Sequence, residues 1–418
     1  MNHTAVTIPL LDLKSQFRSI RTEIMDAIDR VFVSGQFVGG EWVEAFEEQF
    51  ARFVGSRYAI GVGSGTAALE LALKAAGIAA GDEVIVPANS FFATAEAASN
   101  VGARPVFVDV MPATFHLDVN SVEHVLTPRT RAIIPVHLYG QAMSLAALQE
   151  VADRHGLTII EDAAQAHGTE RDGIPTGGSG RLTCFSFYPG KNLGAYGDAG
   201  VVTCNDPGHA ERLRMLRDHG SPAKYVHLMV GTNSRLDAIQ AAVLSVKLQY
   251  LEGWNARRVQ NAKTYVARLR NACIHLPEIP PGREHNFHLF VVRVSNRDGL
   301  RDHLLKRGIA TGIHYPQPLH LTPAYRDSGY PRRASLPASE EAASEILSLP
   351  MYPELRESQI HEVCEAVLQF LDGEYSRSHP GADDIDAPYQ ADAATQDAFS
   401  NESALQQLRS SFARNRIV

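Results

Sequence analysis

The sequence predicts an α/β protein: a large domain built on a mainly parallel sheet, then a smaller α+β domain. Three observations predict it. From Tyr58 onward, short Val/Ile-rich runs alternate with stretches of helical spacing that end in glycine. The runs are continuously apolar rather than alternating, which marks strands buried on both faces. At 418 residues the chain is too long for one small core, and its pattern changes past Pro277.

In chain order, an extended entry at Ile8–Leu11 leads into a helix in which Phe17, Ile20, Ile24, Ile28 and Val31 recur at three- and four-residue spacing. Gly39-Gly40 breaks that pattern before a second helix over 41–53. The strand candidates follow: 58–62, 83–87, 104–110, 131–138, 157–163, 182–187 and 200–204. The last two are joined without a helix, which allows that pair to be antiparallel. A long helix is predicted from Asn233 to Trp254, with Leu236, Ile239, Val243, Leu244 and Leu248 in register. Beyond Pro277 come a strand (288–294), a helix (297–307), a strand (311–315) and helices over 339–347 and 357–371. The boundaries read 1–254 for the large domain, 255–375 for the small one and 376–418 for a tail. That tail is acidic and reads as disordered, with Leu405, Leu408 and Phe412 available for a short helix.

Composition excludes several classes. The chain is 44% hydrophobic and 21% charged with a net charge of −8, and no basic cluster suits a nucleic acid. Its four cysteines lie far apart, without metal-ligand spacing, and read as reduced thiols of a cytoplasmic protein. No signal-peptide pattern opens the sequence and no apolar run is long enough to span a bilayer.

The chemistry centres on 182–204, LTCFSFYPGKNLGAYGDAGVVTC: two apolar strands around a Gly-rich turn carrying Lys191. A lysine among apolar and aromatic neighbours loses solvation and becomes nucleophilic, as a Schiff base requires, although a solvated loop lysine is the ordinary reading. GSGTAA (63–68) opens a helix after a strand, so Gly65 and Thr66 can cradle an anion. The same letters match a dinucleotide fingerprint, but the acids Asp82 and Glu83 precede the next strand instead of ending it, and the ribose anchor is missing. Phe91 or Phe92, past the strand 83–87, can stack on a planar ring or fill the core. Asp162, past another strand, is either a helix cap or the carboxylate that keeps a pyridine nitrogen protonated; Gln165 is one turn further on. Ser186 can add a hydroxyl to the anion site, and Asn233 is either an N-cap or an anion ligand. Together these describe a pyridoxal phosphate site.

With SGTAALELAL, VPANSFFATAEA, EDAAQAHG, FSFYPGKNLGAYGDAG and NSRLDAIQAAVL, the chain from Ile8 to Leu371 resembles the DegT/StrS-type sugar aminotransferases, a branch of the fold type I pyridoxal-phosphate enzymes. The resemblance implies a seven-stranded, mostly parallel sheet in the large domain, and a homodimer with shared active sites. It implies that Lys191 bonds the cofactor and moves the proton, Asp162 faces the ring nitrogen, Gln165 the ring hydroxyl and Phe91 the ring face. Gly65, Thr66 and Ser186 would hold the phosphate, with Asn233 reaching in from the partner subunit. LRDHGSPAKYVH, HNFHLFVVRV and TGIHYPQPLHLTPAY are similar to enzymes that aminate dTDP-linked 3-keto-6-deoxyhexoses, with an amino acid such as L-glutamate as donor. His219, Tyr225, His227, His314, Tyr315 and His320 are the substrate candidates. C4 ketosugars, UDP-linked 3-keto uronates and keto-cyclitols stay open as acceptors, and a non-catalytic cofactor-binding regulator stays open as another class.

Overall fold

A computed structural model describes residues 6–278, 284–327 and 335–378. Met1–Leu371 group as one compact unit. Of the second unit, from Asp372, only the end of the last helix is described, so the expected acidic tail and its short helix lie outside the described residues.

Seven strands form the main sheet: β1 Tyr58–Val62, β2 Glu83–Pro87, β3 Arg104–Val108, β4 Thr130–Ile133, β5 Thr158–Asp162, β6 Leu182–Ser186 and β7 Gly200–Cys204. Their order is β1-β7-β6-β5-β4-β2-β3, and only β7 runs against its neighbours. The expected α/β fold with an antiparallel final pair is therefore present. Both faces are covered. On one, α4 (Gly65–Ala75), α5 (Phe92–Asn100) and α7 (Pro207–Arg217) pack on Ile60, Val62, Val84, Val86, Cys184 and Val202. On the other, α3 (Glu41–Val54) and α8 (Ala238–Leu248) bury Phe46, Phe50 and Leu244 against Phe185 and Val201. Along β6, Cys184 faces one core and Phe185 the other, the period-two alternation of a strand in a covered sheet. A third cluster sets α6 (Ala146–His155) on Ile85, Val106 and Ile133.

A separate core gathers α9 (Leu251–Leu269), α10 (Arg297–Lys306), α13 (Glu357–Ser378) and a two-stranded antiparallel sheet of β8 (Phe290–Arg293) and β9 (Ile346–Leu349). The N-terminal segment belongs to it: Ile8 is buried there, Ile8 N donates to Gly308 O at 3.1 Å, and Ala310 N donates to Ile8 O at 2.9 Å. Two short helices, α11 (Pro323–Arg326) and α12 (Pro337–Glu345), precede β9 in the chain.

Three expectations need correction. The first helix is two, α1 (Leu13–Ser19) and α2 (Arg21–Ser34), because Ile20 leaves the helical region at φ −125°. The long helix does not start at Asn233. Asn233 bridges Asp218 in extended backbone, Ser234 Oγ accepts from Gly63 N, and α8 starts only after Asp237, with a break at Gln249–Tyr250 before α9. Finally, 311–315 is no regular strand: Gly312 makes one bridge to Ser348, while Ile346–Leu349, whose first two residues were expected to end the helix over 339–347, pairs with β8 through fully buried residues.

Candidate active site

A cavity of about 600 Å³ opens at the C-terminal edge of the sheet, where ligands sit in open α/β folds. Ser64, Gly65 and Thr66 line it from the start of α4, Asp162 from the end of β5 and Ser186 from the end of β6. Lys191 lines it from the turn between β6 and β7, Phe91 from the start of α5, and His288, His314 and Tyr315 from the far side.

Helix α4 begins as an anion site does. Of its first amides, Ala67 N donates to Ser64 Oγ at 3.1 Å and Ala68 N to Ser64 O, which leaves the amides of Gly65 and Thr66 as the pair for an anion. A Cβ on Gly65 would stand 2.5 Å from Ser186 Cβ, so glycine is what lets the two elements close around the same space.

Asp162 is buried. Its Oδ2 accepts from Thr94 Oγ1 at 2.8 Å and its Oδ1 from Ala164 N at 3.1 Å. Burial raises its pKa, opposed by the Thr94 hydroxyl, the Ala164 amide and the charge of Lys191. Lys191 itself is pushed down to about 8 by burial, with Asp162 pulling the other way. The turn that carries Lys191 is tethered: Lys191 N donates to Tyr188 O and Ala195 N to Phe187 O. The fully buried Lys247 donates to Gly194 O at 2.5 Å and lies 4.5 Å over the Tyr196 ring.

Gln165 is oriented at both ends: its Oε1 accepts from Tyr139 N at 2.6 Å and its Nε2 donates to Tyr315 Oη at 3.2 Å. Phe91 is 54% exposed and sits 5.5 Å from the Tyr315 ring, whereas Phe92 packs against Tyr325. His314 Nδ1 is 2.8 Å from Ser348 Oγ, and burial followed by the charge of Lys191 lowers it to about 4.

The chain thus brings Gly65, Thr66, Phe91, Asp162, Gln165, Ser186, Lys191, His314 and Tyr315 to one cavity. It does not bring Asn233, His219, Tyr225, His227 or His320. The first four lie on an exposed stretch, with Tyr225 82% accessible and His227 Nδ1 2.9 Å from His219 O. His320 lies 3.1 Å from Glu340 and beside Phe107. Sequence reasoning missed Thr94, Ser64 and His288. Ser64 was legible as a helix cap ahead of ALEL; the other two act through partners far away in sequence.

The residues fit pyridoxal phosphate: a glycine cradle with free amides and a serine for the phosphate, a buried carboxylate for a ring N–H, and an amine of lowered basicity. A solved structure of similar fold is DesV of S. venezuelae with a ketimine intermediate, at TM-score 0.85 and 48% identity, covering 88% of this chain and 99% of that one. Fold and site together define a pyridoxal-phosphate-dependent aminotransferase. The chain belongs to the DegT/DnrJ/EryC1/StrS aminotransferase family, whose model matches residues 18–368. One relative, dTDP-3-amino-3,4,6-trideoxy-alpha-D-glucose transaminase of Streptomyces venezuelae, is 48% identical over 87% of this chain and 96% of its own. Another, the erythromycin biosynthesis sensory transduction protein EryC1 of Saccharopolyspora erythraea, is 49% identical over 85% of this chain and 98% of its own. No helix among the described residues is long and apolar enough to cross a membrane.

Proposed function

We propose that this protein transfers an amino group from an amino acid, L-glutamate first among the candidates, to C3 of a dTDP-linked 3-keto-6-deoxyhexose. The observation that carries this reading is the 48% identity, across nearly the full length, to a transaminase of a dTDP-3-amino sugar.

Bound in the cavity, pyridoxal phosphate supplies an aldehyde that condenses with amines and a ring that draws electrons from the adjacent carbon. Gly65, Thr66 and Ser186 would bind its phosphate, Phe91 would cover the ring, and Gln165 would meet the ring hydroxyl. Asp162, its carboxylate steadied by Thr94 and Ala164, would hold the proton on the ring nitrogen. Lys191 would anchor the aldehyde carbon, and with its amine free Nζ would be the base that moves the proton of the donor Cα; a group poised near 8 exchanges protons readily at neutral pH. The same residues would serve the ketosugar, with His314 and Tyr315 on the sugar side of the cavity.

The enzyme works as a cytoplasmic homodimer in this reading, with a large domain to residue 254 and a small one over 255–375. Phe32, Val33, Phe37, Val38, Tyr225, Leu228 and Val230 expose a quantity of apolar surface that a second copy would cover. Asn233 lies beside that stretch and is exposed, in keeping with a role in the partner's phosphate site, and His219, Tyr225 and His227 would reach the partner's sugar. An active monomer on sizing chromatography refutes the shared site.

The deciding experiment is the absorption spectrum of the purified protein before and after L-glutamate, alongside Lys191→Ala. A yellow band that bleaches, and is absent in the variant, is the expected outcome; no band after adding pyridoxal phosphate overturns the reading. The sensory-transduction name of one 49% identical relative favours a second reading, a regulator that binds the cofactor without turnover. That protein would keep its yellow band with every amino donor offered.

A further inference from the structure

Beyond β4 the chain makes a turn over 137–140 that stays paired with the strand carrying Asp162: His137 N donates to Asp162 O at 3.0 Å. Tyr139 sits in this turn with its side chain buried and its backbone in the left-handed region, at φ 59°. A tyrosine held there is strained, which is common where a group is aimed at a particular target. Two targets are visible. Tyr139 N donates to Gln165 Oε1 at 2.6 Å, and Tyr139 Oη donates to His314 O at 2.5 Å. One residue thus holds a side chain on the cofactor side of the cavity and a stretch of backbone on its far side.

Chemistry fixes the directions. A backbone amide can only donate, so Gln165 turns its oxygen to Tyr139 and its NH₂ the other way. That NH₂ donates to Tyr315 Oη at 3.2 Å. A backbone carbonyl can only accept, so the Tyr139 hydroxyl hydrogen is committed to His314. Tyr315 Oη receives a hydrogen from Gln165 and, among the described residues, gives its own to none, while the side chain lines the cavity beside Phe91. Burial first, and then the charge of Asp162, raise its pKa against the Gln165 contact, so the hydroxyl keeps that hydrogen at neutral pH.

We propose that Tyr139 is a positioning residue for the amino acceptor: through Gln165 and the His314 carbonyl it sets the Tyr315 hydroxyl as a hydrogen-bond donor toward an oxygen of the ketosugar. The proposal rests on the function proposed above. It separates the two half-reactions, because the Tyr139 amide serves Gln165 whatever the side chain, whereas the Tyr139 hydroxyl serves only the acceptor side.

Tyr139→Phe removes the hydroxyl alone and keeps both the buried ring, 5.5 Å from Phe115, and the amide on Gln165. With pyridoxal phosphate bound, bleaching of the yellow band by L-glutamate should keep its wild-type rate in this variant. Return of the band, when a dTDP-linked 3-keto-6-deoxyhexose is added to the pyridoxamine form, should slow about tenfold, the scale of one lost hydrogen bond. A loss shared equally by the two half-reactions marks a merely structural residue and overturns the proposal. The second measurement needs no turnover. It is calorimetric binding of the dTDP-linked 3-amino sugar, the product, to the pyridoxamine form, where the two amines cannot react. Tyr139→Phe and Tyr315→Phe should each weaken it, and the double variant no more than Tyr315→Phe alone, since the first acts through the second. Additive losses, or wild-type binding in Tyr139→Phe, overturn this proposal alone. A wild-type protein that bleaches with glutamate yet binds no such sugar nucleotide removes the acceptor reading and this proposal together.

Discussion

Asp162 shows how little of a residue's role is its own chemistry. A solvated carboxylate is a poor partner for a pyridine nitrogen; a buried one, held by Thr94 and Ala164, has no water to compete for the ring proton. Asp162→Asn keeps the shape and loses the charge. We expect it to take up pyridoxal phosphate with turnover reduced on the order of a hundredfold or more, as when a charge-stabilising group is removed; paired spectra and steady-state rates check this. Lys191, Asp162 and Gly65 could be placed at one sheet edge from the sequence, because Asp162 ends a strand, Gly65 opens the helix after one and Lys191 lies in the turn after another, and strand ends follow from local apolar runs. Thr94 and His288 were not, because their meaning comes from Asp162 and Asn192, 68 and 96 residues away. Phe91 and Phe92 were indistinguishable as letters, and only the direction of α5 separates the ring in the cavity from the ring in the core.

At the scale of elements, the site depends on how closely α4 approaches β6. Gly65→Ala places a methyl group 2.5 Å from Ser186 Cβ, and the helix must retreat from the strand to admit it. Overpacking of this kind destabilises by about 1–3 kcal/mol. We expect a lower melting temperature and a larger loss in cofactor affinity than in stability, because the amides of Gly65 and Thr66 move with the helix; thermal unfolding with and without pyridoxal phosphate separates the two. The sheet strands were legible as runs of Val and Ile, but not all of their ends: β3 stops at Val108 and β4 at Ile133, short of the expected 110 and 138. The second half of the chain was less so. Leu236 and Val243 keep helical spacing across residues that the fold holds extended, because Ser234 and Asn233 are recruited by neighbours from the sheet and α7. The strand Ile346–Leu349 was hidden by the helix before it, with nothing in its four letters to announce its partner β8.

At the scale of the molecule, the protein carries a set of buried and half-buried histidines with lowered pKa values. Burial is the main cause for His116 and His314, at about 4, and for His167 and His285, at about 3. Unfolded, each takes a proton near 6.5; folded, it does not until the pH is far lower. Between those values the unfolded chain binds more protons, so stability falls as the pH drops below about 6.5. Denaturant midpoints at pH 7.5 and pH 5 should show a marked loss. His167→Phe, whose ring would sit between Phe185 and Phe187, should lose less by about one proton's share; an equal loss refutes the assignment. The segment at Ile8 has a different consequence, one of timing. Its partners at Gly308 and Ala310 lie some 300 residues further along the chain. During synthesis this strip of apolar chain emerges long before the surface that will cover it, while the main sheet between them is complete by Cys204. An early misplacement of this strip on the half-made sheet is the misfolding hazard that the topology builds in.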